Sequence, residues 1–471
     1  MSTIPHNADL LKHLFQLLEA HRPLFGQQRV YERAVALFLA ELVVFARHTV
    51  TQLLLALGRT EQDWSAWYRL FSQGRFDAER ASAVLVGETL QHVGADELYV
   101  VAVDSTQTAR SSAKLEGVGW LRHVRTPPFK LGIHRAQRWF NGSWLLPAEH
   151  GYSRALPLRW LPAFTAKAKR RCHPATKEGD AALQLVQWLR QQFSQRGRAL
   201  QRLLLVGDGS YDTLTLWQRL PDGVVLLARS AKNRVLYHLP SGERRRGRPR
   251  RYGERAATPQ QVWQQRGGWT RLTLTIRGQA RHLQYRVSGP LLRHGAPERP
   301  LCLIVVRGKQ HPRHGRPFRR EPLPFLVNAV PDANGQWQLP LPVETLLFWA
   351  WQRWEIEVCH RELKTSFGLG HKQCFHPRAA VASVQWSAWV YAVLLLAGYP
   401  TFGLTGAPAV PTRWWRGAGR WSLTTLWRAY RACLWGEHHF RPLSPPTPAN
   451  WGENQRWLDA LRHAAFGAAR T

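Results

Sequence analysis

Three acids far apart in the chain carry the strongest chemical signal. Asp104 ends the apolar run "LYVVAVD", Asp208 ends "LLLVGD", and Glu357 lies in the charged stretch "RWEIEVCHRELKTSFGLG", residues 353–370. An ionised Asp at the end of a buried strand is costly unless it is paired or bound to a cation. Parallel neighbouring strands bring their carboxyl ends together, where α/β folds keep their sites. Two strand-end aspartates and one helical glutamate thus form an all-oxygen donor set for hard ions such as Mg²⁺, with Mn²⁺ as a substitute. Such ions keep positions for water and phosphate. Two of them roughly 4 Å apart can activate an attacking oxygen and stabilise a leaving one during in-line displacement at phosphorus.

Each acid has rivals. On a helical wheel Arg353, Glu357, Arg361 and Lys364 share one face, whereas Glu355 and Glu362 point elsewhere. Alone, that stripe reads as a solvated face of i,i+4 ion pairs. Asp212 competes with Asp208 but falls four residues beyond the strand.

Around these acids the chain is strongly basic. Its 471 residues carry 65 Lys and Arg against 31 Asp and Glu, a formal charge of +34, and that field suits a nucleic-acid partner. At 44% hydrophobic the chain is globular and not a disordered basic tail. The five cysteines form no C-x-x-C pair, which argues against a zinc ribbon or a disulfide framework and for a reducing compartment. The N-terminal residues lack a signal architecture, and the longest apolar segments hold Glu41 or Gln385 and read as buried helices. The expectation is a cytoplasmic protein.

The elements that must position the acids divide the chain. Residues 1–97 read as all-helical. "TVTQLLLALG" stops at Gly58, and Thr60 with Asp63 fits a capping box opening the next helix, the layout of a helix-turn-helix or of an ordinary αα-hairpin. Residues 98–219 read as strand, hairpin, helix, strand, with Asn141-Gly142 as a type I′ turn and Asp180 as the helix cap. Residues 220–344 read as a β-rich insertion. Residues 345–400 carry the Glu357 helix, starting near Pro342, and a second buried helix over about 379–397. Residues 401–471 form a basic tail rich in Trp and Pro, with a helix at "SLTTLWRAYRACLW".

With "VAVDST", "LLLVGDGSYDT" and Arg353-x3-Glu357-x6-Lys364 in this order, the chain resembles the DDE transposases of bacterial insertion sequences. It is most similar to the group with a Tyr-x2-Arg-x3-Glu-x6-Lys signature. The resemblance spans about 98–400, with a weaker one upstream. It implies an α/β fold: an RNase H-like core, a mixed sheet flanked by helices, interrupted by a mostly β insertion and preceded by a helical DNA-binding domain. It implies that Asp104, Asp208 and Glu357 bind two metal ions, and that Arg353 and Lys364 hold DNA phosphates. The signature Tyr falls on Ala350, and Trp351 could take over part of its contact with DNA. The implied partners are terminal inverted repeats and target DNA, bound by a homodimer.

The insertion contains Arg246-Gly247-Arg248-Pro249, the core of a minor-groove-binding element, though a solvated basic loop reads the same way. Trp263 and Trp269 suit base stacking or simple packing. Two other functions compete with the transposase: a non-catalytic DNA-binding regulator, which would not need three intact acids, and an RNase H-like nuclease, against which the insertion argues.

Overall fold

The structure is a computed structural model and describes residues 8–45, 47–59, 61–123, 126, 130–240, 250–308, 322–408 and 420–436. Helices open the chain: α1 (Ala8–Ala20), α2 (Gln28–Val43), α3 (Val50–Ala56), α4 (Ser65–Ser72) and α5 (Ala78–Leu90). Thr49 caps α3 by accepting from the Gln52 N–H, and Gly58 turns the chain beyond it at φ +64. Asp77 caps α5. The expected capping box does not open α4, which begins only at Ser65, where the Asp63 carboxylate accepts from the Ser65 N–H at 2.8 Å. Thr60 lies outside the described residues.

The next elements are β1 (Tyr99–Ala109), β2 (Gly119–Arg122), β3 (Ile133–Leu145), β4 (Ala155–Pro162), α6 (Glu178–Gln195), β5 (Leu203–Gly207), α7 (Leu214–Arg219) and β6 (Val224–Arg229). Strands β1, β5 and β6 are parallel, and β3 lies antiparallel to β1 with β4 beyond it. The order β4-β3-β1-β5-β6 is a mixed sheet with helices against it, the architecture expected of an RNase H-like core. Asn141-Gly142 is not a turn. Both residues are buried inside β3, where Asn141 pairs with Asp104 and Gly142 with Val103. Gly142 serves helix packing, because a Cβ there would stand 2.2 Å from Leu185 Cδ2 of α6. The real turn follows β3, with His150 at φ +48 and Gly151 at φ +78. Nor does Asp180 cap α6; it lies in the first turn of a helix that starts at Glu178.

Beyond β6 come β7 (Tyr237–His238), α8 (Pro259–Gln264), β8 (Thr270–Ile276), β9 (Gln279–Arg293), β10 (Ala296–Gly308), β11 (Leu323–Asn328), β12 (Val330–Pro331) and β13 (Trp337–Gln338). β11 pairs with β10 on one side and β6 on the other, so the insertion's strands extend the core sheet. β6 itself belongs to that core sheet, past the boundary expected at residue 220.

The chain then forms α9 (Val343–Gln352), α10 (Trp354–Thr365), α11 (Pro377–Phe402) and α12 (Leu423–Gly436). The expected single Glu357 helix is thus two, joined at Arg353. α11 is long and apolar enough to cross a membrane, but 94% of its apolar window is buried in the protein, against α1, α4, α5 and β4. α12 returns to α2, where Trp427 Nε1 donates to the Leu42 carbonyl at 2.6 Å and Arg431 to that of Val44 at 2.7 Å. One hydrophobic core runs from Leu10 to Leu434.

Candidate active site

Each acid reaches the site by a different route. Asp104 stands mid-strand on β1, one residue past the Val103–Gly207 pair that ends the parallel ladder with β5. Asp208 follows β5 directly, and its carboxylate accepts from the Ser210 N–H at 2.9 Å. The two aspartates are therefore level on neighbouring strands. Gly207 lets the chain turn there, since a Cβ would meet Tyr211 at 2.8 Å. Glu357 comes from α10, which packs on β1 and β4.

Arg353 ties this group together, with its guanidinium 2.6 Å from Glu357 Oε1 and 3.9 Å from Asp104 Oδ2. The Asp104 carboxyl is pushed up to about 7. Burial is the main cause, opposed by Arg353 and reinforced by the negative charges of Asp208 and Glu357. Beneath Asp104 lies His360, which sequence reasoning did not select. It is buried, and desolvation with the nearby Lys364 and Arg353 charges lowers it to about 3, so its ring is neutral. The Asn141 amide donates to His360 Nε2 at 3.1 Å, leaving the ring proton on Nδ1, 3.9 Å from Asp104 Oδ2. Lys364 donates to Thr106 Oγ1 at 2.6 Å, two residues along β1 from Asp104.

The rival acids are tied up elsewhere. Glu355 is 5% exposed and bonds Arg277 at 2.6 Å. Glu362 is 13% exposed and accepts from Arg154 and Tyr391, each at 2.6 Å. Glu357 is 32% exposed. Asp212 is buried and saturated by Arg234, Arg293, Ser230 and Trp217 at 2.6–2.9 Å. Each of these three rivals is paired with an arginine inside the protein.

The donor chemistry fits a hard divalent cation. Asp104 resists ionisation, chiefly through burial and further through the charges of Asp208 and Glu357, and the buried Tyr211 hydroxyl within their field finds no hydrogen-bond partner among the described residues. No three His, Cys, Asp or Glu side chains among the described residues are gathered closely enough to hold a metal ion, and Arg353 supplies the cation between Asp104 and Glu357.

The other expected residues lie apart. Trp351 is half-buried on α9, whereas Trp354, beside Arg353, is 52% exposed. Trp263 and Trp269 flank the Arg307 guanidinium at 5.8 and 5.6 Å. Arg246 and Arg248 lie outside the described residues.

This sheet order, with one acid where the parallel β1–β5 ladder ends and another directly after β5, defines an RNase H-like fold of the DDE type. The chain belongs to the DDE superfamily endonucleases, a family that it matches over residues 22–287, more than half its length. That stretch includes Asp104 and Asp208; Arg353, Glu357 and Lys364 lie beyond it. No curated protein matches the chain significantly.

Proposed function

We propose that this DDE endonuclease is the transposase of an insertion sequence. It binds the terminal inverted repeats as a homodimer in the cytoplasm, cuts the ends, and joins the freed 3′-OH to target DNA. The observation that carries this reading is Asp104 level with Asp208 on the neighbouring strand and linked through Arg353 to Glu357, acids 104 and 253 residues away in sequence order. Asp104, Asp208 and Glu357 would hold two Mg²⁺ ions, or Mn²⁺, which supply activation of the attacking oxygen and neutralisation of the leaving one.

The remaining work falls to the chain's own groups. Arg353 grips phosphate by its guanidinium fork and Lys364 by point charge. Neutral His360, fixed by Asn141, lies 3.9 Å from the Asp104 carboxylate and adds no charge to the site. Trp351, or the more exposed Trp354, lies against the DNA near the cut, and the Arg246–Arg248 element reads the minor groove. The spacing Arg353-x3-Glu357-x6-Lys364 supports membership of the Tyr-Arg-Glu-Lys group despite Ala350. The helices of residues 1–97 serve as the DNA-binding domain, 98–219 with β6 and 345–400 as the catalytic core, and the rest of 220–344 as the insertion.

The test is end cleavage on a linear duplex carrying the DNA that flanks the gene, with Mg²⁺, with EDTA, and with Glu357→Gln. Nicking that needs metal and disappears in Glu357→Gln, with DNA binding retained, is the expected result. Undiminished nicking by Glu357→Gln would remove Glu357 from the site.

A further inference from the structure

The sheet face that carries Asp104 does not stop at the acids. Residues paired across a ladder share a face, and side chains alternate along each strand. Asp104 pairs with Asn141, Thr106 with Trp139 and Thr108 with Gln137. Two residues further along β3, Arg135 on the same face pairs with Trp120 of β2. Arg135 is six residues from Asn141, about 20 Å at roughly 3.3 Å per residue. Trp120 is 62% exposed and stacks with the Arg135 guanidinium, 5.0 Å from the ring centroid.

A basic loop borders this end of the sheet. Lys169 bridges to Val118 at the start of β2, and Lys167, Lys169, Arg170 and Arg171 are all exposed. A buried carboxylate holds the loop: Glu116 accepts from the backbone N–H groups of Arg171, Cys172 and His173 at 2.8–3.1 Å. The loop is joined back toward the acids, because Arg171 donates to the Phe375 carbonyl and Arg110 to that of Gly370. Between Ser105 and Lys177 the sequence contains only two acids, the buried Glu116 and the half-buried Glu149, so the exposed cations of this surface meet little opposing charge.

The geometry points to a second DNA-contacting surface: Lys167, Lys169, Arg170 and the Trp120–Arg135 stack hold the backbone of duplex DNA about 20 Å from the catalytic acids. At ~3.4 Å per base pair this is about six base pairs from the bond being cut. The inference rests on the proposed DNA-cleaving function and adds where the flanking duplex lies. Ordered cations beside an exposed indole complement a phosphate backbone in charge and spacing.

The test compares wild type with the triple variant Lys167→Ala/Lys169→Ala/Arg170→Ala, with Trp120→Ala and with Glu116→Gln. The probe is a 40-base-pair (~40) duplex of gene-flanking DNA, shortened stepwise from either side of the cut. The triple variant should bind the long duplex about tenfold more weakly, and its log–log salt slope should be shallower by about 2.7, the counterions of three phosphates. That difference should vanish once fewer than about five base pairs remain on one side of the cut. Glu116→Gln removes a negative charge and would tighten binding by charge alone; weaker binding is expected because the loop loses its anchor. A triple variant matching wild type in affinity and salt slope, while wild type binds, overturns the surface but leaves the proposed function standing. A wild type that binds no duplex overturns both. Thermal unfolding of each variant separates loss of contact from loss of fold.

Discussion

Of the three glutamates on α10, two spend their charge inside the protein. Glu362 lies between Arg154 and Tyr391, and removing one partner of a buried pair costs about 3–5 kcal/mol. Glu362→Gln should therefore lower the urea midpoint sharply, whereas Glu357→Gln should leave it near wild type and abolish cleavage. Asp212→Asn, which strands Arg234 and Arg293, should behave like Glu362→Gln. This division was partly legible in the sequence. Strand-end position singled out Asp208 over Asp212, and helical phase separated Glu357 from its neighbours. Arg277, Arg154 and Arg293, which neutralise Glu355, Glu362 and Asp212, lie 78, 208 and 81 residues away, and no local pattern reports them. His360 was hidden for the same reason: its role depends on Asn141, 219 residues upstream.

Among elements, the tip of the β8–β9 hairpin is the junction to probe. Arg277, at φ +53, donates its N–H to the Gly151 carbonyl at 2.7 Å, and Gly278 donates to that of His150. The Arg277 side chain bonds Glu355, two residues before Glu357. The insertion thus grips both the β3–β4 turn and α10. A Cβ on Gly151 would lie 2.4 Å from the Thr275 carbonyl oxygen, and left-handed backbone costs a non-glycine residue about 1–2 kcal/mol. Gly151→Ala should destabilise by at least that much and raise amide hydrogen exchange at Arg277 and Gly278. Arg277→Ala should slow end cleavage several-fold while leaving duplex affinity unchanged, and Arg277→Lys should restore part of the rate. The sequence foresaw that this insertion is rich in strands. It misplaced the turn because Asn-Gly favours a hairpin only where neither residue is needed in the interior. Here Gly142 is needed for the close approach of α6, and Asn141 for His360.

Across the whole molecule, the helices before β1 are built into the core. α11 lies against α1, α4 and α5, and Glu41 of α2 pairs with Lys372 at 2.6 Å and His48 at 2.5 Å. A fragment of residues 1–97 alone should fail to show cooperative unfolding by circular dichroism. Burial raises the Glu41 carboxyl, but the Lys372 and His48 charges outweigh it and hold the group down at about 2, against an ordinary 4.5. Its stabilisation is therefore complete above pH 4.5 and is lost as pH falls from there toward 2. His21 is lowered by burial from 6.5 to about 4, so its contribution is complete above pH 6.5 and falls over 6.5 to 4. Acid titration of stability should show both windows, with the lower one reduced in Glu41→Gln.

The sheet has a consequence for the protein's modularity. β6 is paired on both sides, with β5 and with β11, and its second partner comes from the far end of the inserted segment. An insertion fixed this way cannot be removed as a cassette. Excising residues 231–322 with β11 would turn a buried strand, "VVLLAR", into an exposed edge with unpaired amides and carbonyls and no charge before Arg229. Such an edge recruits other chains. A trimmed enzyme should precipitate before its catalysis can be measured, and descendants of this chain can shorten the insertion only by keeping a strand where β11 now lies.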